Sequence, residues 1–335
     1  MAGHPGAGAR LNAPPPLAVE RRSGWAVLQR VALWIFIALV ALLLASQARR
    51  IHWHAVLASV LAIPPPALLG AALLAACSHL LYSCYDLLGR HMTGHRLSTR
   101  EVMGVTFISY AFNLNLGSLV GGIAFRYRLY SRLGLDKITI TRVLGFSMLT
   151  NWFGYLVLAG LLFFFWPLAL PPDWRIDSGG LRILGAVLML AGAAYLLLCA
   201  VAGEHRWNFR GHELETPSLR MALLQLLISS LNWSLMGAVI WLLLQGQLPY
   251  AQVLQVFLVA AVAGVITHVP GGLGVLEAVF IALLSHRLST DALLGALLAY
   301  RALYYLLPLA LALVAYGATE LRLATARRRQ QHALR

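Results

Sequence analysis

Two apolar segments of this chain are interrupted by glycine, and each carries a charge just past the interruption. The first runs Gly117-Ser118-Leu119-Val120-Gly121-Gly122-Ile123-Ala124-Phe125-Arg126, with Arg128 close behind; the second runs His268-Val269-Pro270-Gly271-Gly272-Leu273-Gly274-Val275-Leu276-Glu277. A third charge, Arg301, stands inside the last apolar stretch. Broken helices at membrane depth survive only when buried in protein or lining a wet cavity. A corresponding pair in two halves of a chain points to a transporter's binding site. The chemistry such residues suit is binding. A glycine turn at Gly121 and Gly122 bares backbone N–H groups, a half-helix N-terminus adds positive potential, and Arg126 and Arg128 add guanidinium groups. Together these suit a phosphate. Arg128, Arg132 and Lys137 serve equally well as an orientation signal, with Tyr127 and Tyr130 as interface anchors.

The second interruption, at Gly271 and Gly272, leads to the carboxylate of Glu277. A charged carboxylate in the middle of a spanning helix costs about 2.5–3.5 kcal/mol on insertion scales, so Glu277 must be protonated or paired. Arg301 is the expected partner. Tyr304, Tyr305 and Pro308 follow it at i+3, i+4 and i+7, on one helical face, supplying hydroxyl groups and a kink. The pair either locks two helices together or handles substrate and protons. Asp86 is expected to pair with Arg90, four residues on. Asn113, Asn115, Asn151, Asn232, Ser229, Ser230 and Thr267 are expected to bond between helices.

No nucleophile with a base, P-loop, G-x-S-x-G or dinucleotide fingerprint is present. His91 and His95 have ligand spacing but no surrounding metal motif. Cys77, Cys84 and Cys199 lie in apolar spans and read as buried thiols. No catalytic residue, metal or cofactor is expected, and the chain is not expected to be an enzyme.

The elements that position these residues follow from composition. Of 335 residues, 60% are hydrophobic and 11% charged. About 20 apolar residues span a bilayer, and six stretches qualify: 27–46, 67–88, 143–166, 181–202, 219–244 and 291–318. The net charge of +14 sits in short loops beside these spans, which favours membrane orientation and anionic headgroups over nucleic acid. Residues 1–24 read as a disordered cytoplasmic tail and 321–335 as a basic one. The first span lacks a cleavage pattern and reads as a retained helix.

Charge then selects a topology. If both broken segments cross the membrane, Lys and Arg divide 14 to 11. If segments 101–135 and 251–286 each enter and leave on one side, the split is twenty inside and five outside, with Arg301 in the membrane. The positive-inside rule favours the second arrangement. It makes the fold an all-α polytopic membrane protein with six full spans and two re-entrant broken hairpins. The halves, 25–170 and 176–320 within one domain 25–320, form an inverted-topology repeat with both termini cytoplasmic.

At these same positions the chain resembles the YbhN inner-membrane proteins. The motifs are Tyr85-Asp86-Leu87-Leu88, Ser109-Tyr110-Ala111-Phe112-Asn113-Leu114, Arg126-Tyr127-Arg128-Leu129-Tyr130-Ser131-Arg132-Leu133-Gly134-Leu135, Gly274-Val275-Leu276-Glu277-Ala278-Val279-Phe280 and Tyr300-Arg301-Ala302-Leu303-Tyr304-Tyr305. That group is similar to the transmembrane region of lysylphosphatidylglycerol synthases, regarded as a phospholipid flippase. The resemblance implies a bacterial inner membrane and translocation of anionic lipids. It implies no aminoacyl transfer, because the chain ends at Arg335 without the synthases' cytosolic domain. A scaffold or regulator of a lipid-synthesis enzyme and a small-solute transporter are the other readings.

The topology is directly testable. With the native cysteines removed, a cysteine at Ser131 should resist an impermeant maleimide in whole cells, and one at Ser289 should react. Labelling at 131 without permeabilisation rejects the re-entrant arrangement.

Overall fold

The computed structural model describes residues 53–166, 168, 178–203, 206–209 and 212–318. The span expected at 27–46 and both expected tails lie outside these residues. The fold is helical, with one short hairpin. Helices α1 (Trp53–Leu61), α2 (Pro65–Ser83), α3 (Tyr85–Thr93) and α4 (Thr99–Leu116) lead into wide, π-type turns at Ser118–Ala124 and then α5 (Phe125–Arg132). Next come α6 (Lys137–Phe165), α7 (Ser178–Ala202), strands β1 (Arg206–Phe209) and β2 (His212–Glu215), and α8 (Leu219–Leu243). Helix α9 (Tyr250–Thr267), a single turn at Pro270–Gly272, α10 (Val275–Leu284) and α11 (Thr290–Tyr300) follow, with a second wide turn at Arg301–Leu306.

Helix boundaries are set by local chemistry. Pro65 opens α2, where a missing N–H has no cost. Ser98 and Glu101 form a reciprocal capping box on α4. The Asp136 carboxylate accepts the N–H groups of Ile138 and Thr139 at the start of α6. Hydrogen bonds, first from the Thr139 hydroxyl, hold the Asp136 carboxyl below its ordinary range.

Among the described residues, six segments are long and apolar enough to cross a membrane: Pro65–Thr93, Lys137–Phe165, Ser178–Ala202, Leu219–Leu243, Tyr250–Thr267 and Thr290–Ala318. Five coincide with expected spans. The sixth, Tyr250–Thr267, is the first arm of the second broken segment, and its 18 residues reach about 27 Å at 1.5 Å per residue. The β-hairpin, paired from Arg206↔Glu215 to Phe209↔His212, is an addition to the all-helical expectation. It closes the polar connection between α7 and α8.

Both glycine interruptions are reversals of direction. Phe112 and Phe125 are thirteen residues apart, which a continuous helix would separate by about 20 Å; their rings stack at 4.1 Å. The reversal begins at Gly117, whose φ of 84° is the left-handed region that side chains avoid. Gly121 then lies against the backbone of Phe112 and Asn113, so close that a methyl group would sit 2.2 Å from the Asn113 nitrogen.

The main core joins α6, α8, α9, α10 and α11 through Tyr155, Trp233, Ile240, Phe257, Phe280 and Tyr300. Polar groups bond across it because lipid offers them no partner. Gln225 Nε2 donates to Thr150 Oγ1 at 2.8 Å, Trp233 Nε1 to the Asn151 carbonyl at 3.1 Å, and Ser229 Oγ to the same carbonyl at 2.9 Å. Thr267 departs from expectation; its hydroxyl bonds only within its own helix, to Gly264. Cys199 is buried, whereas Cys77 is exposed and Cys84 half-buried, because α2 turns one face outward with Leu69, Leu73 and Leu80.

The contact between α6 and α8 depends on Gly154, where an added methyl would meet Ser229 Cβ at 2.3 Å and the Ser230 nitrogen at 2.6 Å. Gly154→Ala should therefore lower stability in detergent by about 1–3 kcal/mol, the usual cost of overpacking. Gly145→Ala, with nothing within 4 Å, should not. Thermal unfolding of the two variants side by side checks this.

Candidate functional site

The site forms where the two reversals meet. Helix α4 ends at Leu116, bringing Leu114 and Asn115 to the tip of the first hairpin. In the second, His268 and Gly271 adopt φ of 53° and 64°, and the chain breaks between α9 and α10. The two tips touch at Gly271, where a methyl group would lie 3.2 Å from the Leu114 carbonyl oxygen. Asn115 bridges onward, its Nδ2 donating to the Ala111 carbonyl at 2.8 Å and to the Tyr305 carbonyl at 3.2 Å.

Arg301 holds the second break closed. Its Nε donates to Glu277 Oε1, and its Nη2 donates to Glu277 Oε2 at 3.0 Å and to the Gly272 carbonyl at 2.9 Å. Its Nη1 donates to the Gly271 carbonyl at 3.0 Å. The fork thus neutralises the carboxylate and satisfies two carbonyls that the glycine turn strips of helical partners. A guanidinium has five N–H donors; these bonds use four, leaving one on Nη1. The side chains of Arg301 and Glu277 keep 11% and 15% of their surface exposed, so the pair is reachable. Beside it lies a cavity of about 140 Å³ lined by Asn115, Gly271, Leu273, Arg301, Tyr305 and Leu306.

Tyr304 and Tyr305, expected on the face of Arg301, part company. The wide turn at Arg301–Leu306 alters the helical spacing just ahead of Pro308, which has no N–H for the turn before it. The Arg301 guanidinium lies 5.3 Å from the Tyr305 ring centre. Tyr304 instead turns inward, its hydroxyl 2.7 Å from Ser78 Oγ and 3.1 Å from the Tyr110 hydroxyl.

The charge after the first interruption sits apart from this cavity. Arg126, 3% exposed, donates from Nε to Asp86 Oδ2 at 3.0 Å, and the Tyr130 hydroxyl donates to the same oxygen at 2.9 Å. Asp86 therefore pairs across the fold rather than with Arg90, whose Nη1 donates to the Leu97 carbonyl and Thr99 hydroxyl. Gly122 supplies a carbonyl to Arg126 Nη1 at 3.5 Å. Arg128 lies on the exposed side of α5, its guanidinium 5.7 Å from the Tyr316 ring centre. So Gly271, Arg301 and Tyr305 line the cavity, with Glu277 and Gly272 bonded to Arg301. Gly121 and Gly122 pack within the first hairpin, Arg126 ties it to Asp86 of α3, and Arg128 lies against Tyr316.

Asn115 bonds between helices as expected, though its place on the cavity wall was not foreseen; sequence reasoning passed over His79. The signal for His79 was available: an ionisable residue in the apolar run Leu73–Leu81.

The model of the family described as lysylphosphatidylglycerol synthase TM region matches residues 31–312. The chain is 49% identical to Inner membrane protein YbhN of Escherichia coli (strain K12) over 293 residues, 87% of this chain and 92% of that protein. It is 33% identical to an uncharacterized protein of Synechocystis over 291 residues, 85% and 89% of the two chains. A shorter match, 29% over 92 residues, links 26% of this chain to 11% of a phosphatidylglycerol lysyltransferase of Staphylococcus xylosus.

The geometry makes the Glu277–Arg301 pair unequal. Arg301→Ala removes support from Glu277 and from the Gly271 and Gly272 carbonyls, and should destabilise more than Glu277→Ala. Breaking a buried pair is worth about 3–5 kcal/mol, and a coupling of about 1–3 kcal/mol is expected in the double-mutant cycle. Equal single effects that simply add would contradict the assignment.

Proposed function

Because this chain belongs to the lysylphosphatidylglycerol synthase transmembrane-region family, we propose that it is a flippase of a bacterial inner membrane. It moves a phospholipid or another anionic lipid between leaflets. The observation that carries this reading is the cavity where the hairpin tips meet. One wall bears Arg301 with a spare N–H, and Leu273 and Leu306, which also line it, are 48% and 57% exposed. A polar group and an open apolar rim side by side match a lipid, whose headgroup needs a cation and whose tails need a greasy exit. A water-soluble substrate would find the rim a barrier.

In this reading Arg301, rather than Arg126, meets the headgroup phosphate. Tyr305 and Asn115 flank it, Gly271 and Gly272 let the backbone come close, and Glu277 holds the guanidinium between turnovers. The Arg126–Asp86 pair anchors the first hairpin, and Arg128 faces headgroups at the surface. Hairpins entering from opposite faces would let both leaflets reach one site, the plan of inverted-repeat transporters. The chain acts as a transporter and not as an enzyme.

The test is flipping of labelled lipids by purified protein in proteoliposomes, across phosphatidylglycerol, a zwitterionic phospholipid and a polyisoprenyl phosphate. Arg301→Lys keeps the charge but loses the fork. It should slow anionic-lipid movement about tenfold, roughly 1.4 kcal/mol. Arg128→Ala should move lipid at close to the unaltered rate. If folded protein moves no lipid, a scaffold for a lipid-synthesis enzyme becomes the reading; passage of a soluble anion instead makes it a small-solute transporter.

A further inference from the structure

His79 is an ionisable side chain that the lipid site does not use. It lies in α2, 4% exposed, among leucines and alanines. Its Nδ1 is 3.0 Å from the Ala75 carbonyl oxygen. A carbonyl only accepts, so Nδ1 carries the hydrogen and the neutral ring presents Nε2 as a bare lone pair. Nε2 is buried with no hydrogen-bond partner.

The surroundings are a polar band within the apolar body. The His79 ring lies 4.7 Å from the Tyr304 ring and 5.2 Å from the Tyr110 ring, centre to centre. The hydroxyls form a row: Tyr110 to Tyr304 at 3.1 Å, Tyr304 to Ser78 at 2.7 Å, Ser78 to Asn232 Oδ1 at 2.7 Å. Asn232 Oδ1 only accepts, so Ser78 donates to it, Tyr304 donates to Ser78, and Tyr110 donates to Tyr304. Each of these hydrogens is thereby committed, and none is left for Nε2. The rings packed against His79 are Phe107 and Tyr110 from α4 and Tyr304 from the wide turn; Tyr82, on its own helix, stacks on Tyr110, and the neutral Asn232 from α8 is reached through Ser78. Beyond Tyr82 lie Tyr85 and Asp86 of α3 and the Arg126 guanidinium, 5.8 Å from the Tyr82 ring centre.

Charge balance gives this lone pair a task. At rest the two buried pairs, Arg126–Asp86 and Arg301–Glu277, are each neutral. A phosphate monoanion arriving at Arg301 leaves one uncompensated negative charge in a low-dielectric interior, which is costly. A proton on His79 Nε2 restores neutrality. The His79 ring packs on Tyr304, the Tyr304 ring on Tyr305 at 6.0 Å, and Tyr305 on the Arg301 guanidinium, so a chain of ring contacts links the two groups. We propose that His79 is the proton-carrying group of this protein: one proton on Nε2 binds together with one anionic headgroup, and the two move together. This rests on the lipid reading above and adds its energy source. Linkage requires that each ligand strengthen the other's binding.

The test uses full-length protein in proteoliposomes with and without a pH gradient. The expected result is that the gradient drives labelled phosphatidylglycerol toward the alkaline-side leaflet and leaves zwitterionic phosphatidylcholine unaffected. His79→Asn keeps a donor for the Ala75 carbonyl but has no group to protonate. It should lose the response of phosphatidylglycerol to the gradient while phosphatidylcholine still moves. In detergent, ¹⁵N-histidine spectra assigned with this variant should show Nε2 gaining a proton when phosphatidylglycerol is added at constant pH. The assignment is overturned if the gradient has no effect on the unaltered protein, if His79→Asn keeps the response, or if Nε2 stays unprotonated; in each case the lipid reading stands. If the unaltered protein moves no lipid, the lipid reading falls and this inference falls with it.

Discussion

A chain that breaks its helix within an apolar body must find new partners for the backbone groups it exposes, because lipid provides none. In this protein the constraint is met by one guanidinium. Arg301 takes the Gly271 and Gly272 carbonyls and the Glu277 carboxylate at once. It thereby fixes the angle between α9 and α10 and the position of Gly271 against the first hairpin. Remove that fork and the second tip has two bare carbonyls and an unpaired acid. The cavity is bordered by this break, whose shape the Arg301 bonds define.

The first hairpin solves the same problem differently. It relies on close approach, with Gly121 against the Phe112–Asn113 backbone, and on a buried ion pair that reaches back to Asp86 on α3. That pair ties the hairpin to α2 and α3, where Tyr82, Tyr85 and Tyr110 pack together. Tyr110 then touches Tyr304, four residues from Tyr300 in the main core. The first hairpin therefore makes two long-range connections: its tip meets the second hairpin at Gly271, and Tyr110 in its interior meets Tyr304 of the last helix.

The lining of the cavity also explains why charge and grease are juxtaposed here. An isolated guanidinium beside exposed leucines would be costly to desolvate. Glu277 removes that cost at rest, and because the pair is only partly buried, a second anion of similar shape can approach it. Under the proposed reading, such an arrangement suits a ligand with a negative polar head and an apolar tail.

The amino-acid sequence by itself determined the class of the molecule and the identity of its central pair. Long apolar runs read as membrane spans, glycine interruptions at that depth need buried partners, and the few charges inside the spans pointed to Glu277 and Arg301 as a pair. The tertiary structure decided what depends on a reversal of direction or a change of helical pitch. Arg90 was the natural partner of Asp86 by spacing, but the folded-back hairpin delivers Arg126 from forty residues away. Tyr304 and Tyr305 share a face with Arg301 in a regular helix, but the wide turn ahead of Pro308 separates them. Asn115 and His79 each stand out in the sequence as polar residues in apolar runs, but nothing local names their partners. The surroundings of each are assembled from three elements, and such assemblies are set by which faces pack. Local spacing encodes faces and ends, whereas the meeting of distant tips is encoded only in the packing that brings them together.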